Sequence, residues 1–150
     1  MDDTDRKLLQ LLQKDGRMSN VDLARQANLS QAATHERVRR LVAEGVIEGF
    51  SARLNAAKLD RPLLMFVEVT LDGTSEDIFD RFAAAVRRTP EVVECHMLAG
   101  GFDYLVKVRV RDMAAYRKFL SATLVRLPGV RQTHTYAVME EVKNTLEVPV

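Results

Sequence analysis

Apolar residues recur every three to four positions over the first third of the chain and on alternate positions over much of the rest, so the structural period changes part-way along. Leu8, Leu9 and Leu12 predict one face of a helix over 5–14, with Thr4 as its cap. Ser19 predicts the cap of a second helix over 20–26, with Val21, Leu23 and Ala24 turned inward. The turn Ala27-Asn28-Leu29 follows, and Ser30 caps a third helix whose inward positions are Thr34, Val38 and Leu41. Gly45 closes it as a left-handed cap, and the alternation over 46–54 predicts a strand leaving a winged helix-turn-helix.

Beyond the connector Ala56-Ala57-Lys58-Leu59-Asp60-Arg61-Pro62 the period is that of a strand, with Met65, Val67, Val69 and Leu71 on one face and Phe66, Glu68 and Thr70 on the other. Ser75 starts a helix that turns Ile78, Phe79, Phe82 and Val86 to one side. Strands over 92–98 and 104–110 form a hairpin through Ala99-Gly100-Gly101-Phe102-Asp103. A helix carrying Tyr116, Phe119, Leu120 and Leu124 follows, then a strand over 130–139. The order β-α-β-β-α-β is ferredoxin-like, and the whole is an α+β chain of two domains, 1–60 and 61–150. Phe66, Leu98, Tyr136 and Val138 exceed what two helices on one face can cover, which predicts a homo-oligomer.

Two helices sharing one tight turn are the arrangement that presents the second helix to the DNA major groove. Its candidate contact residues are Ser30, Gln31, His35 and Glu36 toward the N-terminal half, with Arg37, Arg39 and Arg40 further along, where phosphates run. A net charge of +1 is not that of a nonspecific nucleic-acid coat, so affinity for duplex DNA rests on local charge.

Composition narrows the rest. With 29% charged and 47% hydrophobic residues the balance is globular, and no apolar run is long enough to span a bilayer. The start MDDTDRK lacks the marks of a secretory signal, and the one cysteine, Cys95, makes an internal disulfide impossible, which together predict a cytoplasmic protein. His35, His96 and His134 have no metal-site spacing, and Cys95 and His96, adjacent on a strand, point to opposite faces, which disfavours a nucleophilic pair. No enzyme, cofactor or metal signal emerges. An RNA-recognition sheet shares the β-α-β-β-α-β order, but it would present aromatics where the third strand reads DYLVKVRV.

The segments DDTDRKLLQLLQKDGRMSNVDLA, LSxxxxxERVRRL and PEVVECHMLAGGFDYLVKVRV, in this order and across essentially the whole chain, resemble the Lrp/AsnC family of amino-acid-responsive transcription regulators. LLMFVEVTL, DMAAYRKFL and RLPGVRQTHTYAVMEEVK are similar to its leucine-responsive branch. Gln31-Ala32-Ala33-Thr34-His35 departs from the proline-containing start of the recognition helix found in many members, so no operator sequence carries over. The resemblance implies a free amino acid, leucine first, bound in clefts between subunits beside the loop Gly100-Gly101-Phe102-Asp103, and dimers that assemble further, to octamers. Residue chemistry is compatible. Glycines admit an α-carboxylate, Asp103 pairs with an α-ammonium, and Leu98, Met113, Tyr136 and Val138 supply an apolar wall.

Overall fold

In the computed structural model, which describes residues 1–150, the chain divides into two compact units: Met1–Arg53 with Lys143–Val150, and Leu54–Val142. The division therefore falls earlier than residue 60, and the chain end returns to the first unit. The last residues have no strand partner, and their backbone groups are met by side chains instead. The Gln13 amide donates to the Val148 carbonyl at 3.0 Å and accepts from its N–H at 2.6 Å. Arg53 donates to the Asn144 carbonyl at 3.2 Å.

The first unit contains α1 (Asp3–Lys14), α2 (Asn20–Ala27) and α3 (Gln31–Ala43). The cap of α1 is Asp2 and not Thr4, because Asp2 and Asp5 satisfy each other's backbone N–H in a capping box, at 2.8 and 3.1 Å. Ser19 and Ser30 cap α2 and α3 as expected, accepting from the N–H groups of Asp22 and Ala33. Asn28 makes the turn between them in the left-handed conformation, which Asn tolerates better than most residues. Gly45, at φ +72°, ends α3 in a Schellman motif: its N–H bonds the Val42 carbonyl and that of Val46 bonds Leu41. Leu8, Leu11, Leu23 and Leu41 are buried, and Val38 packs against the first three. Val21 is 53% exposed rather than inward, since the buried stripe of so short a helix is narrow. No strand forms over 46–54. Nothing pairs with that segment, and its alternating apolar side chains Val46, Phe50 and Leu54 are exposed.

In the second unit β1 (Leu63–Leu71), α4 (Glu76–Val86), β2 (Val92–Met97), β3 (Tyr104–Val110), α5 (Met113–Ala122) and β4 (Val130–Ala137) follow in order. The sheet is antiparallel with strand order β2-β3-β1-β4, the ferredoxin-like topology. Met65, Val67, Val69, Val106 and Val108 pack with Phe82, Val86, Tyr116 and Phe119 into one core beneath the two helices. Gly129 (φ +75°) makes the turn into β4, where an added Cβ would lie 2.7 Å from Ile78 Cγ2. The opposite face has no helix. Register places Phe66 beside Tyr136 and Lys107, and Glu68 beside His134 and Leu105, on that uncovered side.

Candidate nucleic-acid interface and effector site

The outer stripe of α3 is Gln31, His35 and Arg39 at i, i+4 and i+8, with Glu36 alongside, all exposed. Glu36 and Arg39 form a two-pronged pair, Nε to Oε2 at 3.0 Å and Nη2 to Oε1 at 2.6 Å. The Arg39 hydrogen bonds hold the Glu36 carboxyl below its ordinary range, and Glu36 raises the guanidinium in turn. Both ends of the pair are open to solvent.

Arg37 and Arg40, expected among the DNA contacts, are engaged by Asp2 and Asp5. Arg37 Nη1 binds Asp2 at 2.7 Å and Asp5 at 2.8 Å, and Arg40 Nη2 binds Asp5 at 2.7 Å. The Asp5 side chain is only 1% exposed. Burial alone would push its carboxyl up, but the Asp2 backbone N–H, the Arg37 hydrogen bond and the Arg40 charge together hold it below the usual carboxylate range. Sequence periodicity missed this because Asp5 looked like an ordinary first-turn acid. The signal was present in the two arginines one turn apart, with three basic residues on a short helix and only one stripe facing outward.

The residues expected to bind an effector are spread along β1 within one chain. Leu98, Gly100, Gly101 and Asp103 lie in the β2–β3 loop, which bonds the end of β1: the Asp103 N–H donates to the Val69 carbonyl at 3.0 Å. Val138 bonds Leu64 at the start of β1, and Met113 begins the helix after β3, whose end pairs with Leu63. Five residues of strand separate Leu64 from Val69, about 17 Å. Tyr136 is 52% and Met113 55% exposed, and the Tyr136 hydroxyl donates to Glu68 at 3.2 Å. The Asp103 Oδ2 accepts the Leu71 N–H at 2.7 Å, which ties the loop to the end of β1 through one carboxylate oxygen. Gly100 and Gly101 have no left-handed backbone and no atom within 4 Å of an added Cβ, so nothing in their own chain requires glycine there.

Comparison with known proteins gives both units relatives. Residues 64–148 match the Lrp/AsnC ligand binding domain and residues 1–48 a winged helix-turn-helix DNA-binding domain. The chain is 54% identical to the leucine-responsive regulatory protein of Salmonella typhimurium over 145 residues, 97% of this chain and 88% of the relative. It is 53% identical, with the same coverage, to that of Escherichia coli K12. Among solved structures, a transcriptional regulator of Neisseria meningitidis in complex with L-Met superposes with TM-score 0.94 at 34% identity, covering 99% of this chain and 96% of that one.

Proposed function

The chain belongs to the Lrp/AsnC family of DNA-binding transcription regulators, which are not enzymes, and from that premise we propose how it reads DNA and senses an amino acid. Helix α3 enters the major groove and contacts the duplex through Ser30, Gln31, His35, Glu36 and Arg39. The effector is a small amino acid with an apolar side chain, leucine first and methionine or another aliphatic next. The leucine-responsive relatives and the neighbour holding L-Met support this class. The observation that carries the effector reading is the separation of its candidate residues. The β2–β3 loop lies at one end of β1 and Met113 and Val138 at the other, with Tyr136 paired midway at Phe66, so these residues make one pocket when the loop of one copy meets the far end of another. The working form is therefore a homo-oligomer, a dimer or an octamer assembled from dimers, acting on cytoplasmic DNA.

The test begins with duplexes selected from a random pool, bound in a gel-shift assay with and without L-leucine, L-methionine and L-aspartate. L-leucine or L-methionine should change affinity or the pattern of complexes, and L-aspartate should not. Gly101→Val should fold and bind DNA as wild type does, because its Cβ meets nothing in the chain, yet lose the response by filling the space a ligand approaches. A fully responsive Gly101→Val would remove the loop from the site.

A further inference from the structure

The geometry assigns Asp5, on α1, as a positioning residue for DNA reading: it grips Arg37 and Arg40 and so sets which stripe of α3 faces the duplex. This rests on α3 being the groove-entering helix. The Asp5 carboxylate is buried, and its two oxygens take Arg37 at 2.8 Å, Arg40 at 2.7 Å and the Asp2 N–H at 3.1 Å. Asp2 gives Arg37 a second acceptor at 2.7 Å. Two attachment points one turn apart fix the rotation of α3 about its own axis as well as its distance from α1. At about 100° per residue, the direction midway between Arg37 and Arg40 lies about 170° from His35 and about 130° from Arg39. Gln31, His35 and Arg39 thus form a stripe centred opposite the clamp. The same contact sets charge. Two of the three α3 guanidiniums are matched by aspartates, Arg40 while still 45% exposed and 3.9 Å from Glu44, leaving Arg39, whose partner Glu36 is itself exposed.

The experiment compares salt titrations of DNA binding on a pool-selected duplex and an unrelated one. Arg40→Gln should leave the slope of log affinity against log salt unchanged on the selected duplex, whereas Arg39→Gln should weaken binding tenfold or more. Asp5→Asn, near-isosteric, frees Arg40 and loosens Arg37. Binding to the unrelated duplex should tighten and steepen by up to about 0.9 in slope per arginine released, and discrimination between the duplexes should fall. Asp5→Glu should restore part of that discrimination. A purely structural Asp5 would scale both affinities down together and leave both slopes alone, which would overturn the assignment. So would a slope flattened by about 0.9 in Arg40→Gln, and that variant decides the matter even if Asp5→Asn fails to fold. If Arg39→Gln binds as wild type while Arg40→Gln is also silent, the fault lies with α3 as the reading helix and not with Asp5.

Discussion

Two aspartates show how one residue type serves different ends. Asp103, expected to pair with an α-ammonium, also caps the end of β1 by accepting the Leu71 N–H. Asp103→Ala should therefore destabilise the protein by about 1–3 kcal/mol, the cost of an unmet backbone donor, visible as a lower urea midpoint. An unchanged midpoint would return Asp103 to the ligand. Asp5 has a folded-state acidity stronger than that of the unfolded chain, so as pH falls the unfolded state binds the proton first. Its stabilisation is complete above about pH 4 and is lost as pH drops through the lowered folded value, with Asp2 acting in the same direction. Thermal midpoints of wild type should fall more steeply below about pH 4 than those of Asp5→Ala. Parallel curves would mean the carboxylate is not held ionised by its partners.

At the level of elements, the helix-turn-helix was legible because its signals are local. Ser19, Asn28, Ser30 and Gly45 each answer a backbone requirement at one position, and each acts as its sequence context suggests. Ser30→Ala should cost about 1 kcal/mol of stability by removing the N-cap, measured by urea unfolding. Val38→Asp should unfold the unit outright, since Val38 packs on Leu8, Leu11 and Leu23, and retention of the helical circular-dichroism signal would contradict that packing. The segment 46–54 misled because alternation describes a surface suited to pairing but cannot supply the partner strand.

For the molecule as a whole, the uncovered sheet face is the feature that a single chain leaves unresolved. It offers Phe66, Leu105 and Tyr136 among Glu68, Lys107 and His134. Phe66→Asp should shift the protein toward a monomer in sedimentation at micromolar concentration and weaken operator binding along with it, because two linked recognition helices bind where one does not. A wild-type footprint should be roughly palindromic, with half-sites about 34–36 Å apart. Tight binding by a wild-type monomer would exclude both expectations.

Sequence alone determined the order of the five helices and four sheet strands, the α+β class and the family, though not that 46–54 stays unpaired, because caps, turns and hydrophobic period are properties of neighbouring residues and survive without knowledge of the fold. Tertiary structure decided which partners Arg37, Arg40 and Asp103 hold, and that the loop and Val138 lie at opposite ends of β1. Those outcomes depend on partners far apart in the chain: Asp5 meets Arg40 across a separation of 35 residues and Leu71 meets Asp103 across 32. A carboxylate or guanidinium reads the same in sequence whether it faces solvent, a ligand or a buried opposite charge, and only the packing of α1 on α3 or of the β2–β3 loop on β1 selects among them.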